Sequence, residues 1–170
     1  QIIDVRTDKN SILKNEENID INSNSLNWQF DFDKELGQKS EKEILVELKT
    51  PLRFKVQGKY SSNFTAQDFM QCLFRRLKTL CLLYGNFTDV PFYDSSKIEV
   101  VITEKNIQWK DYEHYSSRQK KAMQLGGVTG TFKLKGIFSE FDLALLDFAR
   151  ICNAGKNPNF GLGQIDYWER

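Results

Sequence analysis

Ile44-Leu45-Val46-Glu47-Leu48-Lys49-Thr50-Pro51-Leu52-Arg53-Phe54-Lys55-Val56-Gln57 is where the chain changes from uneven and polar to patterned. Val46, Leu48, Leu52, Phe54 and Val56 share one parity; Glu47, Lys49, Arg53 and Lys55 share the other. That alternation reads as a strand with one buried face. Pro51 cannot donate to a ladder, so it requires an edge position or a bulge, and Gly58 closes the run. Downstream, Ala66 to Tyr84 repeats Phe69, Met70, Leu73, Leu77, Leu80, Cys81 and Tyr84 at helical spacing. Thr65 is its N-cap, with Asp68 three residues on, and Gly85 its stop. Arg75 and Arg76 fall off the apolar face. Lys97 to Trp109 and Val128 to Ile137 alternate as strands. Residues 110–127, rich in Tyr, Ser, Arg, Gln and Lys, join them as a long hairpin connection closing on Gly126-Gly127. Phe138 to Cys152 reads as a second helix, with Ser139 as N-cap and Phe141, Leu145, Leu146, Phe148 and Ala149 inward. Phe160 to Tyr167 reads as a last strand. Strand, helix, strand, strand, helix, strand is the order of a ferredoxin-like α+β fold, four antiparallel strands backed by two helices.

Between the second helix and the last strand runs Ala154-Gly155-Lys156-Asn157-Pro158-Asn159-Phe160-Gly161-Leu162-Gly163. Glycines allow positive φ and close backbone approach. Such a loop can aim N–H groups at an anion while Lys156 adds charge, which points to a phosphate-bearing partner. On spacing alone a long glycine-rich bend is the favoured reading, and neither the phosphate-loop nor the dinucleotide pattern is met. Phe160 is expected in the core.

Upstream of the patterned region, residues 1–43 are polar. Ile2 to Val5 and Leu26 to Phe32 read as short strands, and Asp33 to Glu43 as a charged loop. The division is therefore an N-terminal extension, 1–43, and a domain, 44–170. The chain starts at Gln1 and its first methionine is Met70, so the expectation is a fragment or trimmed product whose extension is the remnant of, or link to, a further N-terminal domain.

The 24 basic and 23 acidic residues nearly cancel. Their distribution does not: residues 1–50 carry seven basic and eleven acidic side chains, residues 51–170 seventeen and twelve. The later part can present a basic face. Three cysteines make no disulfide framework. Cys72 and Cys81 lie in the apolar helical pattern as buried thiols, which fits a cytoplasmic setting. No run is apolar and long enough to span a membrane, and no signal peptide is visible. No His/Cys spacing fits zinc, no calcium-loop pattern occurs, and no cofactor motif is present.

Several segments in register carry a family resemblance. Leu48-Lys49-Thr50-Pro51-Leu52-Arg53-Phe54-Lys55 is followed by Phe74-Arg75-Arg76-Leu77, then Trp109, Tyr115-Ser116-Ser117-Arg118-Gln119-Lys120, Met123, Leu125-Gly126-Gly127-Val128 and Gly130. Gly155-Lys156-Asn157 and Phe160-Gly161-Leu162-Gly163 end the series. Over roughly residues 44–168 the chain resembles the C-terminal half of the CRISPR-associated repeat-RNA-processing endoribonucleases of the RAMP superfamily. The resemblance implies two ferredoxin-like domains in tandem and metal-independent cleavage of CRISPR repeat RNA. It implies a glycine-rich loop close to the RNA, and a hairpin that positions the RNA stem through Arg118, Gln119 and Lys120. Two features depart from the family pattern. Residues 1–43 are too short for the N-terminal domain that supplies the catalytic histidine in many members, and His114 stands where an arginine is expected.

Metal-free RNA cleavage needs a base near the 2′-hydroxyl, positive charge on the phosphate and an acid for the leaving 5′-oxygen, giving a 2′,3′-cyclic phosphate. His114 is the one histidine in the chain, so a two-histidine mechanism within it is excluded. His114 reads either as the catalytic candidate or as an ordinary solvated loop side chain, and Tyr115 either as a hydrogen-bond donor or as hairpin packing. Arg53 and Lys55 on the polar strand face read as RNA contacts or as a solvated face. Lys156 and Asn157, with Gly155, Gly161 and Gly163, are the better placed RNA-binding candidates. The expected whole is an RNA-binding domain of a repeat-processing endoribonuclease, binding RNA weakly and cleaving poorly when alone. Two alternatives stay open: a non-catalytic RAMP subunit on guide RNA among other CRISPR effector subunits, and a ferredoxin-like protein-interaction module. Homodimerisation is also left open.

Overall fold

The computed structural model of the 170-residue chain describes residues 13–15, 18–19, 38–84, 92–116 and 120–169. For residues 13–15, 18–19, 114, 116 and 121–124 it describes the backbone alone. The chain divides into two units, Gln1–Asp31 and Phe32–Arg170. In the first, β1 (Leu13–Asn15) pairs antiparallel with β2 (Asn18–Ile19). The second unit holds the fold.

Its strands and helices follow in the order β3 (Ser40–Leu52), β4 (Lys55–Val56), β5 (Lys59–Tyr60), α1 (Ala66–Tyr84), β6 (Glu99–Lys110), β7 (Glu113–Ser116), β8 (Lys121–Gln124), β9 (Gly127–Phe138), α2 (Glu140–Cys152) and β10 (Ile165–Glu169). Four strands form one antiparallel sheet in the order β10-β3-β9-β6. The first and third long strands lie side by side at its centre because each helix carries the chain over the sheet before the next strand joins. This is the ferredoxin-like arrangement, with two short hairpins, β4–β5 and β7–β8, added to it.

The buried parity of each strand meets the apolar stripes of the helices. Ile44, Val46, Leu48 and Leu52 of β3 are buried, as are Phe132, Leu134 and Phe138 of β9. Phe69, Met70, Leu73 and Leu77 of α1 and Phe141, Leu145, Leu146, Phe148 and Ala149 of α2 are buried with them. Each large side chain so buried contributes about 1.5–3 kcal/mol. Phe64 contacts Phe54 at 5.2 Å and Phe132 at 5.5 Å between ring centroids, and Phe69 contacts Phe132 at 5.0 Å, all edge-to-face. Tyr93 packs on Phe74 and Phe141, and its hydroxyl donates to buried Asp142 at 2.7 Å. Asp142 also closes a capping box with Ser139, which starts α2 where expected. The Thr65–Asp68 pair does the same for α1, the Asp68 N–H donating to Thr65 Oγ1 at 3.1 Å and the Thr65 N–H to Asp68 Oδ2 at 2.9 Å. At the free edge of β6, Gln67 Nε2 donates to the carbonyls of Ile98 and Val100, which blunts a strand edge otherwise open to pairing.

Five local expectations need correction. The first strand does not run to Gln57. Its register with β9 shifts between Leu48 and Leu52, around Pro51, and it ends at Leu52. It also begins at Ser40, so Ser40 to Glu43 is strand rather than charged loop, paired with Lys135 to Phe138. The last strand begins at Ile165, because Pro158–Phe160 forms one turn of 3-10 helix that leaves Phe160 50% exposed rather than in the core. Tyr84 is 82% exposed, since the last turn of α1 extends beyond its packing partners. Cys81 is half-buried instead of buried. The strands expected at Ile2–Val5 and Leu26–Phe32, and the stop at Gly85, lie outside the described residues. Among the described residues no helix is long and apolar enough to cross a membrane.

Candidate nucleic-acid interface

Antiparallel order brings the ends of β3 and β6 and the starts of β9 and β10 to one end of the sheet. At that end, Pro51-Leu52-Arg53 is a node on which three segments converge. The glycine-rich loop is laced onto it: the Lys156 N–H donates to the Arg53 carbonyl at 2.7 Å and the Gly163 N–H to the Pro51 carbonyl at 3.0 Å. The Gln164 N–H reaches Thr50 Oγ1 at 2.9 Å. A Cβ on Gly155 would sit 2.5 Å from the Arg53 carbonyl oxygen, and one on Gly127 would sit 2.9 Å from that of Leu52. The loop and the start of β9 therefore press on the node at glycines, where no side chain intervenes.

The loop's own N–H groups are largely spent. Those of Ala154, Lys156, Phe160, Gly161 and Gly163 donate to protein carbonyls, and that of Gly155 bonds to Cys72. A backbone anion cradle, as the glycine spacing invites, is not what these six groups form. Gly155 and Gly163 serve close approach, and the charge the loop offers is the exposed Lys156 side chain, with Asn157 beside it at a left-handed φ of 63°. Beneath the loop, burial pushes the Cys72 thiol up to about 12, only partly offset by the Gly155 N–H.

From the node the chain enters the β4–β5 hairpin. Gln57 (φ 49°) and Gly58 (φ 81°) make its two-residue turn, both left-handed as tight hairpins require. Lys55 pairs with Tyr60 and Val56 with Lys59. Phe54 is buried and anchors the hairpin root. The Arg53 guanidinium stacks 4.0 Å from the Tyr60 ring centroid, and Lys55 Nζ lies 5.5 Å from it. Arg53, Lys55, Lys59 and Lys156 are thus gathered by one node, and neither 53–63 nor 154–164 contains an Asp or Glu.

On the far side, β6 and β9 continue past the sheet into the β7–β8 hairpin through an elbow. Trp109 Nε1 donates to Asp111 Oδ1 at 2.8 Å, and the Leu125 N–H to the Tyr112 carbonyl at 2.7 Å. A Cβ on Gly126 would fall 2.2 Å from Asp111 Oδ1, so a larger residue there displaces the Asp111 carboxylate from Trp109. Beyond it Tyr115 is 62% exposed, opposite Ala122, and Lys120 takes a left-handed φ of 48° in the turn.

A protein-family model described as CRISPR-associated endoribonuclease Cas6 matches residues 46–165, the whole span from mid-β3 to the start of β10. The chain belongs to the Cas6 family. Solved Cas6 structures share the fold. A Cas6 product complex aligns over 80% of this chain and 55% of its own at 14% identity and a TM-score of 0.52. A Thermus thermophilus Cas6 aligns over 80% and 57% at 11% identity and a TM-score of 0.53. A partial Cas6-RT-Cas1–Cas2 complex matches over 77% of this chain and 22% of its own, at 15% identity and a TM-score of 0.53. This chain spans little more than half the length of the single Cas6 chains it matches. None of the curated proteins matches it in sequence.

Against this Cas6 frame, the structure brings Arg53, Lys55, Gly155, Lys156, Asn157, Gly161 and Gly163 to the node or to the loop and hairpin rooted on it. Tyr115 and Lys120 sit on the hairpin past the elbow, and among the described residues no hydrogen bond or ring contact ties them to the node. Arg118 and Gln119 lie outside the described residues. His114 is placed by its backbone opposite Met123. Arg76 supports the fold, Nε donating to the Cys152 carbonyl at 3.2 Å at the C-terminus of α2. Among the described residues no three His, Cys, Asp or Glu side chains are grouped to hold a metal ion. Sequence reading missed Lys59 and Tyr60. The signal is in Lys55-Val56-Gln57-Gly58-Lys59-Tyr60, a two-residue turn between short alternating arms, which the continuing parity of the preceding strand obscures.

A groove of about 430 Å³ lies elsewhere, between the start of α1 and β6, lined by Phe64–Gln67 and Val101–Lys105. Lys105 Nζ donates to the Phe64 carbonyl and lies 4.4 Å from the Phe64 ring centroid. Burial lowers its pKa, with Asp68 acting in the opposite direction. Its ammonium is committed to the protein and braces β6 against α1.

Proposed function

We propose that this chain is the RNA-binding half of a metal-independent endoribonuclease that processes CRISPR repeat transcripts into guide RNAs. The carrying observation is the hydrogen bond from Lys156 to the Arg53 carbonyl. It joins the glycine-rich loop to the β4–β5 hairpin and gathers four cations on two segments without acidic residues. In this reading Arg53, Lys55, Lys59 and Lys156 neutralise consecutive phosphates, and the β7–β8 hairpin grips the repeat further along through Tyr115, Arg118, Gln119 and Lys120. Cleavage proceeds by attack of a ribose 2′-oxygen on the adjacent phosphorus with departure of the 5′-oxygen, leaving a 2′,3′-cyclic phosphate and a 5′-hydroxyl. His114 is the candidate in this chain for a proton-transfer role. The remaining groups come from the part of the protein that the longer Cas6 chains carry beyond the matched region.

The test is a salt titration of binding between the chain and repeat RNA from its own CRISPR array. The four cations of the node contribute about 3 to the size of the negative log–log slope on a single strand, and the Arg53→Ala/Lys156→Ala pair lowers that size by about 1.4. Affinity indifferent to salt, or unchanged in the pair, overturns the reading. Specific cleavage by this chain alone, lost in His114→Ala, would place the chemistry here.

A further inference from the structure

Tyr60 is the one aromatic of the β4–β5 hairpin that is not absorbed into the core. Phe54, at the hairpin root, is 5% exposed, whereas Tyr60 is 39% exposed. The Arg53 guanidinium covers one face of the Tyr60 ring at 4.0 Å from the centroid, and Lys55, its cross-strand partner, flanks it. The ring is therefore held in place before any ligand arrives, by a stacked cation beneath and a paired strand beside it. Its exposed surface faces solvent on a hairpin whose charged residues, Lys55 and Lys59, are both positive. Through the bond from Lys156 to the Arg53 carbonyl, this hairpin shares a root with the glycine-rich loop.

We propose that Tyr60 is a stacking platform for one unpaired base of the RNA, with that nucleotide's phosphates held by Arg53, Lys59 and Lys156. The inference rests on the RNA-binding reading above and adds to it the state of the RNA at this point: single-stranded, with its base turned out. Three features favour a base over other ligands. An aromatic face takes any base, and stacking gains from a ring already immobilised. A guanidinium on the opposite face continues the stack as cation, ring and base. The cations on the same hairpin and on the loop that shares its root supply charge of the sign a phosphate backbone needs.

The experiment uses the whole chain with array-derived repeat RNA in which 5-iodouridine replaces each nucleotide in turn, irradiated in the bound state. One position is expected to crosslink to the peptide containing Tyr60, read by mass spectrometry. A fluorescent 2-aminopurine at or next to that position is expected to be quenched on binding. In Tyr60→Leu the quench disappears and affinity falls about 5- to 150-fold. Tyr60→Phe keeps both within about twofold, which a lost hydroxyl hydrogen bond would not allow. The crosslink needs no substitution, so it decides the matter even if Tyr60→Leu does not fold. Salt-dependent binding with no Tyr60 crosslink, or with Tyr60→Leu folded and binding like wild type, overturns the platform and leaves the RNA reading standing. Protection of the crosslinking nucleotide within duplex RNA also overturns it. Absence of salt-dependent binding by the wild-type chain removes both.

Discussion

Gly161 and Gly163 offer a controlled pair, because they share a backbone conformation and differ in what surrounds them. Their φ values are +74° and +78°. An alanine at either site meets the left-handed region, which costs an L-residue about 1–2 kcal/mol. At Gly161 a Cβ meets nothing within 4 Å. At Gly163 it would lie 1.8 Å from the Ala154 carbonyl oxygen and 2.8 Å from the carbonyl carbon. These are backbone atoms of a fully buried residue, so no side-chain rotation relieves the overlap. Ala154 and Gly163 must move apart, which strains the bond from the Ala154 N–H to the Gly163 carbonyl at 2.8 Å and that from the Gly163 N–H to Pro51 at 3.0 Å. At about 1 kcal/mol for each bond, with the conformational term, Gly163→Ala costs about 3–4 kcal/mol and Gly161→Ala about 1–2 kcal/mol. For a domain of this size 1 kcal/mol is about 3 °C in Tm. Thermal unfolding followed by circular dichroism should therefore show Gly161→Ala within a few degrees of wild type and Gly163→Ala lower by about 10 °C or more. At a temperature where both remain folded, Gly163→Ala should also bind repeat RNA more weakly, because the loop that carries Lys156 is displaced from the node. Equal melting temperatures for the two variants would refute the claim that close approach, rather than φ alone, dictates glycine at position 163.

The elbow makes a second prediction. Gly126→Ala drives a methyl group toward Asp111 Oδ1 and breaks its bond with Trp109, at a cost of about 0.5–1.5 kcal/mol. In a double-mutant cycle by urea unfolding, Asp111→Ala should recover about 0.5–1 kcal/mol of that loss, and strict additivity would show that the two sites are not opposed. A third concerns pH. Burial pushes the Cys72 thiol up to about 12, so the folded protein keeps a proton that the unfolded chain releases at the ordinary value near 8.5. The stabilisation is fully present below that ordinary value and is lost as pH rises from about 8.5 to about 12. Wild type should lose about 1 kcal/mol per pH unit more than Cys72→Ala between pH 9 and 11, and parallel pH slopes would contradict it.

Both helices and the order of the long strands were legible because each is written in a strong local period. Phe69, Leu73 and Leu77 face the sheet from α1, and Val46 and Leu48 face the helices from β3, as spacing alone requires. The boundaries that misled are those where a local pattern persisted across a break. Leu52, Phe54 and Val56 keep strand parity across Pro51, yet the missing N–H and the register shift end the ladder at Leu52. Phe160 looks like the first residue of a strand, but Pro158 starts a helical turn that turns it out to solvent.

What the amino-acid order determined by itself was the ferredoxin-like scaffold and the identity of the glycine-rich loop, since periodicity, caps and glycine placement act over short stretches. What only the tertiary structure decided was the work those glycines do and the company they keep. The Lys156 and Gly163 N–H groups are spent on the Arg53 and Pro51 carbonyls, about a hundred residues earlier in the chain, because the loop folds down onto them, while those of Ala154, Phe160 and Gly161 are spent within the loop. That same contact joins, at one root, the two segments that carry Arg53, Lys55, Lys59 and Lys156. No local pattern encodes a meeting between segments so far apart; it exists only once the sheet has closed and its strand ends share one edge.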